Sequence, residues 1–579
     1  MCAKLCFARL SNRTNQKNPA YFPSRSLGKI CVSQQDLGSE RIIVRSSSNH
    51  LRLFLALFVC ATLTVGCTKV GPDYSRPETQ VSQAWLDAGD QRVKTEPAEY
   101  RNWWKVFKDA SLDQLIDTAY RENLTVRIAG VRVLEARAQL GAAIGNLYPQ
   151  TQQAAGSVLK NRESAGTPIL GVGTSLARFG GLSYWQAQVG LTANWEIDFW
   201  GKFRRGIESA DASLVAAVAN YDTALVSLTG DVANSYIAIR TLQRRLDIAR
   251  HNVVIQRESL EIAQARFIGG TTSQRDVEQA ETVLASTEAT IPILEIQLRQ
   301  ARNALSVLLG MPPSRLVQQL KGDGNIPAPP PQVAVGIPVD LLRRRPDIRA
   351  AEYQAMAQCA QIGVSKAQLY PAFSLSGNFG MLSSDVGKNL LGDMFNWRNR
   401  QGAIGPAVQW NIFNYGQLTN LVRVQDARFQ ALLITYQNTV LSAQREVEDN
   451  LLSFLRTQEQ AKFLQESSEA AFRSLNLAVL QYREGITDFT TVLTAEQALL
   501  STQDSLASSL GNISQSLVGV YRALGGGWEI REGQDFVPVA TREQMERRTN
   551  WGNLLTPASQ EPPTPEEQQQ KRLIRAPEW

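Results

Sequence analysis

The feature that most constrains the fold is an internal duplication of the chain body. The segment WEIDFWGK, which starts at Trp195, aligns with WNIFNYGQ, which starts at Trp410, at an offset of 215 residues. Further pairs share this offset: Phe267 with Tyr482, Gly270 with Gly485, and Glu281 with Glu496. Because the matches recur in one order, we expect two copies of one unit, roughly 111–310 and 338–528, joined by the proline-rich linker 311–337.

Each copy contains stretches in which apolar residues alternate with polar or small ones. Between Tyr184 and Asp198 the apolar positions are Trp185, Ala187, Val189, Leu191, Ala193, Trp195 and Ile197. A period of two over more than ten residues predicts a strand with one apolar and one polar face. The second copy repeats the pattern over residues 373–381 and 404–412, and a weaker strand is predicted after Leu147.

A long helical pattern follows each pair of predicted strands. Apolar residues recur mostly at threes and fours over residues 221–267 without proline, and residues 429–483 form a stretch of similar length. At 1.5 Å per residue, the first helix would reach about 70 Å. Each helix turns at glycine (Gly270 or Gly485) and returns, and we expect a kink or break at Pro292. Stripes rich in alanine, serine and glutamine predict helical hairpins packed as coiled coils.

Four strands with one apolar face are typical of a transmembrane β-barrel, yet four are too few to close one. An open sheet edge in lipid would leave backbone polar groups without partners, so other chains must complete the barrel. By this arithmetic two chains would supply eight strands, three would supply twelve, and four would supply sixteen.

The N-terminal region has the features of an export signal. Residues 51–67 read LRLFLALFVCATLTVGC, and their apolar run is too short to span a bilayer but fits a signal-peptide core. The small residues before Cys67 resemble a bacterial lipoprotein processing site, so we expect residues 51–66 to be removed and Cys67 to be lipidated. A plain secretory signal cut nearby is the alternative. Residues 1–50 are predicted to be an unstructured extension, which a translation start placed too far upstream would explain.

Composition excludes several classes of function. The 60 basic and 54 acidic residues are scattered, and a net charge of +6 is too diluted to indicate a nucleic-acid partner. With only two histidines, His50 and His251, a histidine zinc site is not expected and a Ser-His-Asp triad has little room. The six cysteines include no CxxC pair. We therefore predict no enzymatic activity, no metal and no cofactor.

Several motifs, in order along residues 60–530, resemble the outer-membrane efflux lipoproteins of the NodT and OprM type in the TolC-like outer-membrane factor family. They are GCTKVGPDYSRP, WWKVFKDASLDQLIDTAYRENLTVRIA, ANWEIDFWGK, RRRPDIRAAE, LYPAFSLSG and YRALGGGW. The resemblance implies an α+β membrane protein, a homotrimer with a twelve-strand transmembrane β-barrel to which each chain gives four strands. It also implies a long periplasmic α-helical barrel with a mixed equatorial domain, to which residues 67–110 would contribute. Residues 529–579 are predicted to be a polar, partly disordered C-terminal tail.

The resemblance also implies a function. The protein would be a passive exit duct, lipid-anchored in the bacterial outer membrane and extending into the periplasm. A periplasmic adaptor (membrane fusion protein) would couple it to an energised inner-membrane pump, most often of the RND type. The alternatives are a duct for peptide or protein secretion and, less in keeping with the strands, a periplasmic coiled-coil adaptor.

By resemblance, the functional residues lie at the tips of the two helical hairpins. Adaptor docking falls on Gly269, Gly270, Thr271, Gly485, Ile486 and Thr487. The gate candidates are Tyr482, Arg483, Asp488, Thr490, Thr494 and Gln497. Related ducts often place an aspartate and an arginine where this chain has Thr494 and Gln497, so an aspartate ring is not expected there. Asp488 or Glu496 could substitute; alternatively, Arg483 and Glu496 are solvated charges at helix ends.

The segment NWEIDFWG marks the predicted junction between strand and helix. Trp195 would lie in an aromatic girdle at the membrane–water interface. Asp198 and Gly201 would lie where the chain leaves the strand. The second copy keeps Trp410 and a glycine but replaces both acids, which a pair of catalytic carboxylates would not predict.

Overall fold

A computed structural model of the protein describes residues 69–96, 99–162, 183–313, 320, 324–340, 344–385 and 391–555. The predicted signal peptide, the lipidation site at Cys67 and the N-terminal extension lie outside these residues. The described residues all belong to one compact unit, Cys67–Trp579.

The described part of the chain contains helices α1–α8 and strands β1–β4. In chain order they are α1 (Ala110–Glu122), α2 (Leu124–Gly145), β1 (Thr151–Arg162), β2 (Ser183–Ile197), α3 (Lys202–Ile268), α4 (Gln274–Leu308), α5 (Pro346–Ala367), β3 (Ala372–Ser384), β4 (Arg400–Gln409), α6 (Gln417–Arg483), α7 (Phe489–Ala523) and α8 (Val539–Arg548). Short 3-10 helices lie at Trp103–Phe107, Pro338–Asp340, Leu391–Phe395, Trp397–Asn399, Trp528–Arg531 and Gly552–Leu555. Val93–Lys94 also pairs in parallel with Val333–Ala334.

The elements repeat at the offsets seen in the sequence. Helices α3 and α6 each have 67 residues, and α4 and α7 each have 35. Helices α2 and α5 each have 22 residues. Each copy therefore runs from one shorter helix through two strands into a helical hairpin.

Both long helices begin earlier than the apolar pattern predicts. Their starts are Lys202 and Gln417 rather than positions near 221 and 429, which gives each a length of about 100 Å. The first turns of α3 bury small residues, Ser209, Ala212, Ala216 and Ala219, instead of a large apolar stripe. Small side chains pack closely without producing the periodic signal on which the prediction depended.

Pro292 does not break α4, so that part of the prediction is wrong. The helix continues through Pro292 to Leu308. Proline removes the hydrogen bond to the carbonyl of Glu288. Pro292 is exposed, so solvent can reach that region of the backbone.

Strands β1 to β4 form one antiparallel sheet in the order β1-β2-β3-β4. Directly opposed residues share a face, and the register places Leu191 opposite Phe379. The apolar face is open in the single chain: Leu191 is 61% exposed and Ile404 is 81% exposed. Within the described residues, β1 and β4 each pair on one side only.

One helix, α3, is long and apolar enough to cross a membrane by length and composition alone. Half of its apolar window is buried inside the protein. A core helix passes the same test, so this finding is weak evidence for a membrane-spanning helix.

The junction between β2 and α3 is organised by the residues that stand out in NWEIDFWG. The Asp198 carboxylate accepts hydrogen bonds from the backbone N–H groups of Phe203 (3.1 Å) and Arg204 (2.9 Å), which have no partner within the helix. Gly201 has φ 76°, in the left-handed region that favours glycine. The carboxylate therefore stabilises the start of the helix.

Two tryptophans close equivalent junctions in the two copies. The indole N–H of Trp195 donates to the carbonyl of Leu147 (3.1 Å), and that of Trp410 donates to the carbonyl of Leu369 (3.0 Å). Each bond joins the end of a hairpin to the loop that leads into it. Both copies of the repeat thus have a tryptophan at this position, and the two indoles make the same contact.

The C-terminal region is ordered further than predicted. Residues 529–555 include α8 and pack against α2, where Leu134, Val537, Met545 and Leu555 form a buried cluster. Arg531 forms a bidentate ion pair with Asp222, which is fully buried on α3. The prediction of a polar tail is wrong for these residues because their few apolar side chains are spaced too irregularly to show a period.

The first described residues are clamped beside the β2–α3 junction. The backbone N–H of Val70 donates to the carbonyl of Trp200 (3.0 Å). Arg205, only 1% exposed, donates to the carbonyls of Val70 and Gly71, both at 3.2 Å. A Cβ atom at Gly363 would lie 2.8 Å from the carbonyl oxygen of Val70, so α5 and this segment approach too closely for any side chain.

We expect Gly363→Ala to destabilise the protein by about 1–3 kcal/mol, because the new methyl group would overlap backbone that cannot rotate away. The matched control is Gly141→Ala, the equivalent position of α2, where an added Cβ has no neighbour within 4 Å. There the higher helix propensity of alanine should leave stability unchanged or slightly raised. Thermal unfolding followed by circular dichroism compares the two, and equal melting temperatures would contradict the close approach.

Candidate functional site

The tips of the two helical hairpins have the same backbone geometry. Gly270 and Gly485 take left-handed conformations, with φ 70° and 74°. In each turn the next residue donates its N–H five residues back, from Thr271 to Arg266 and from Ile486 to Gln481, at 2.9 Å. These are the bonds of a glycine-terminated helix end.

The residues predicted for docking are accessible on these turns. Gly269, Gly270, Thr271, Gly485 and Ile486 are exposed, and Thr487 is half-buried. Gly269 has an ordinary φ of −73°, so its backbone does not require glycine. Two exposed aliphatic side chains flank the turns, Ile268 at 85% and Ile486 at 75%. The tips thus present apolar surface on otherwise polar turns.

An aspartate lies at the start of each returning helix, but at a different position in the two hairpins. Asp488 caps α7, with its carboxylate accepting from the N–H (3.3 Å) and the hydroxyl (3.0 Å) of Thr491. At the start of α4, Asp276 instead accepts from the hydroxyls of Thr272 and Ser273. Asp488 is therefore exposed but engaged in capping.

Tyr482 joins the two tips within the protomer. The guanidinium of Arg266 on α3 lies 4.4 Å from the centroid of the Tyr482 ring, and its Nη1 donates to the Tyr482 carbonyl. The ring also packs against Phe489 at 5.0 Å. Burial raises the pKa of Tyr482, and the nearby Thr272 opposes that shift. Sequence reasoning had singled out Tyr482 but not its partner Arg266.

Three gate candidates form one exposed face of α7. Thr490, Thr494 and Gln497 follow one another at helical spacing and are all exposed. The hydroxyl of Thr494 donates to the carbonyl of Thr490 at 2.8 Å. Arg483 is exposed where α6 ends. These four side chains are free of the core, whereas Tyr482 acts within the interface between hairpins.

Glu496 is buried, so its interpretation as a solvated helix-end charge is wrong. Its side chain is 2% exposed and lies on the apolar side of α7 with Phe489, Val492 and Leu499. Burial raises its pKa to about 7, and the nearby Ser259 on α3 opposes that shift. The heptad spacing of Glu496 within the apolar stripe was the signal that could have revealed its burial.

The interface between α3 and α7 contains polar contacts that the sequence did not reveal. Asn252 donates to Gln503 (3.0 Å), and Arg245 forms a bidentate ion pair with Asp504 (2.7 and 3.0 Å). Gln256 is 2% exposed and lines a cavity of about 500 Å³ between α3, α4 and α7. These polar contacts add to apolar clusters that also contain residues of both hairpins.

Metal chemistry finds no support among the residues that the structure describes. Within them, no group of three or more His, Cys, Asp or Glu side chains could hold a metal ion. Cys359 is a buried free thiol whose pKa is raised by burial, and it donates to the carbonyl of Pro72.

Comparison with known proteins identifies related chains. The family model described as "Outer membrane efflux protein" matches residues 115–311 and 337–526, one block in each copy of the duplication. Nodulation protein T of Rhizobium leguminosarum bv. viciae is 31% identical over 458 residues, covering 77% of this chain and 88% of that protein. The pyoverdine export outer membrane protein OpmQ of Pseudomonas aeruginosa is 31% identical over 442 residues, covering 75% and 89%.

A solved structure has the same fold. The structure of the outer-membrane channel OprN superposes with a TM-score of 0.73 at 32% sequence identity. The match covers 79% of this chain and 99% of that chain.

We expect the contact between Arg266 and Tyr482 to hold the two tips together. In Arg266→Ala, the loss of the stacked cation and its hydrogen bond should speed amide hydrogen exchange in the 482–488 turn by roughly tenfold, the effect of about 1.4 kcal/mol. Arg257→Ala is the control, because Arg257 pairs with Glu288 inside its own hairpin at 2.6 Å. Equal exchange in both variants would show that the contact does not hold the tips together.

Proposed function

Since this chain belongs to the outer membrane efflux protein family, we propose that three copies of it form the passive exit duct of a tripartite efflux system. The outer-membrane efflux channel itself follows from the family, as does its place in the outer membrane with helices extending into the periplasm. The proposal concerns the assembly, the partners and the gate. The observation that carries it is a four-stranded amphipathic sheet continuous with two helical hairpins, each with 67 helical residues before the turn and 35 after it.

Trimer formation would satisfy the edges of the sheet. In lipid, the outer edges of β1 and β4 need partners, and the edge strand of a neighbouring chain supplies them. Three chains would give twelve strands, with the exposed apolar face of Leu191 and Ile404 toward lipid. A coiled-coil adaptor would have no use for such a sheet.

The hairpin tips would meet a periplasmic adaptor that couples the duct to an energised inner-membrane pump, of the RND type. The exposed Ile268 and Ile486 are the apolar anchors that such docking would bury. One relative is named as a pyoverdine export protein and another as a solvent efflux pump protein. These names favour the export of small molecules over the secretion of peptides or proteins.

The gate would lie on the exposed face of α7 next to the tips. Thr490, Thr494 and Gln497 carry no formal charge, so closure at this level would rest on side-chain bulk and hydrogen bonding rather than on a ring of acids. Arg483 would add positive charge at the mouth. The contact of Tyr482 with Arg266 would keep the second hairpin against the first in the closed state.

Replacing Thr494 or Arg483 with alanine should raise single-channel conductance in planar bilayers, because each removes bulk from the constriction. The control is Thr502→Ala, two helical turns further from the tip on α7, where the hydroxyl makes the same type of bond to the carbonyl four residues back. If both gate variants conduct like the unsubstituted protein and Thr502→Ala, these residues do not border the gate.

Lipidation of Cys67 is supported by the clamp at the strand–helix junction. Val70 and Gly71 are bonded to Trp200 and Arg205 at the end of β2. Cys67 precedes Val70 by only three residues in the sequence, so an acyl chain on Cys67 would be attached next to this clamped segment. An acyl chain there would enter the bilayer at the periplasmic end of the sheet.

Metabolic labelling with palmitate tests the anchor. Labelling should be lost in Cys67→Ser and retained in Cys359→Ser, because the Cys359 thiol is 2% exposed and engaged in the core. Outer-membrane fractions should still contain the Cys67→Ser protein, since the sheet alone provides apolar surface for insertion. Labelling that persists in Cys67→Ser would contradict lipidation at this residue.

A further inference from the structure

We propose that Glu496 is a proton-sensitive latch between the two helical hairpins, holding α7 against α3 when neutral and favouring their separation when ionised. The proposal rests on the proposed function, in which separation of the hairpins at the tips opens the duct. It gives the gate a dependence on periplasmic pH that resides in one buried carboxyl group per chain.

The surroundings of Glu496 suit a neutral carboxyl group and not a carboxylate. Glu496, Ser259 and Gln256 are 2%, 4% and 2% exposed, and Ser259 on α3 is the neighbour that lowers the pKa of Glu496. Within the described part of the chain, Glu496 Oε1 and both polar atoms of the Gln256 side chain have no hydrogen-bond partner. A buried carboxylate with so few donors is costly, so ionisation penalises this packed arrangement.

No charged group compensates for the burial of Glu496. The ionisable residues nearest in sequence register on the helices around it are Arg257, Glu258, Glu261 and Arg266 on α3, Asp276, Glu278 and Glu281 on α4, Glu469, Arg473 and Arg483 on α6, and Asp488 and Asp504 on α7. Burial raises the pKa of Glu496 and Ser259 lowers it, and none of these charged groups is among the causes of the shift. Ionisation of the latch therefore acts through desolvation alone.

The direction of the pH effect follows from linkage. The pKa of Glu496 is raised from its usual 4.5 to about 7 in the packed state, and separation of the helices would return it toward the usual value. The packed state thus binds the proton more tightly. Its stabilisation is fully present below the usual pKa and is lost as pH rises to about 7. Above that pH the equilibrium no longer changes with this group.

The cavity beside the interface gives protons a route to the latch. Gln256 lines this space of about 500 Å³ and lies one helical turn before Ser259 on α3. Gln497, next to Glu496 on α7, lines it from the other side. Polar side chains such as Thr287 and Ser501 form part of its lining, and the space is large enough for several water molecules, which can carry protons to a buried carboxyl group.

The duplication supplies an internal control. Glu281 on α4 is the counterpart of Glu496 in the first copy, and it is exposed. Both carry the same side chain at the same position of a returning helix, and only Glu496 lies in the interface between hairpins. Glu281→Gln therefore tests the effect of losing a carboxylate while Glu496 stays unchanged.

The experiment records open probability in planar bilayers from pH 5 to 8, using the full-length protein and variants checked for assembly as heat-modifiable oligomers. The unsubstituted protein should open more readily as pH rises from 5 to about 7, by up to about tenfold per pH unit for each titrating carboxyl, and then level off. Glu496→Gln should stay at the low-pH level throughout. Glu281→Gln should behave like the unsubstituted protein.

Ser259→Ala provides a second variant that keeps the carboxyl group. Loss of the Ser259 hydroxyl, which lowers the pKa of Glu496, should move the midpoint of opening to higher pH, and this result decides the matter if Glu496→Gln does not assemble. An unchanged pH response in Glu496→Gln, or in Ser259→Ala where that is the only assembled variant, would overturn the latch. A protein that assembles in outer membranes yet conducts at no pH would instead overturn the duct.

Discussion

Unpaired backbone groups at the two edges of a four-stranded sheet are the constraint on which the rest of the structure depends. The sheet exposes apolar side chains on one face, and β1 and β4 pair on one side only within the described residues. Such a sheet is stable in lipid only when its edges meet other strands. Under the proposed function, a chain that joins this sheet to helices about 100 Å long would have to assemble with copies of itself before either part could work.

The two hairpins of a protomer are joined by both apolar and polar contacts. Near the tips, one apolar cluster includes Leu499 and Phe489 of the second hairpin and Ala263 and Ala280 of the first. Along α3 and α7, hydrogen bonds, an ion pair and the buried side chain of Glu496 add to this cluster. Water can replace polar contacts when helices part, whereas it cannot replace apolar ones. Separation of the hairpins at the tips therefore has to expose the apolar cluster as well.

The sequence predicted those features that depend on local periodicity and failed on those that depend on a distant partner. Alternation located the strands, and Gly270 and Gly485 located the turns, because both signals act over a few residues. The junction motif NWEIDFWG marked the start of α3, whereas the apolar period did not reach its first turns because Ala212 and Ala216 pack closely without an apolar stripe. The burial of Glu496 and the contact of Arg266 with Tyr482 were missed because each is created by a helix more than 200 positions away. Residues 529–555 were predicted to be a tail for the same reason. Arg531 is held in the core by its ion pair with Asp222, which lies far away in the sequence.

The equal lengths of the repeated helices have a consequence for how the protein can change over time. Helices α3 and α6 match at 67 residues and α4 and α7 at 35, while the offset between copies shifts from 222 before the strands to 215 after them. The difference in length has accumulated in the strands and their loops, and none of it in the hairpins. Because the two long helices have the same length, the tips of the two hairpins lie at the same distance from the sheet. An insertion in one long helix would therefore tilt the surface that the two tips present to a partner, unless the other long helix gained the same insertion.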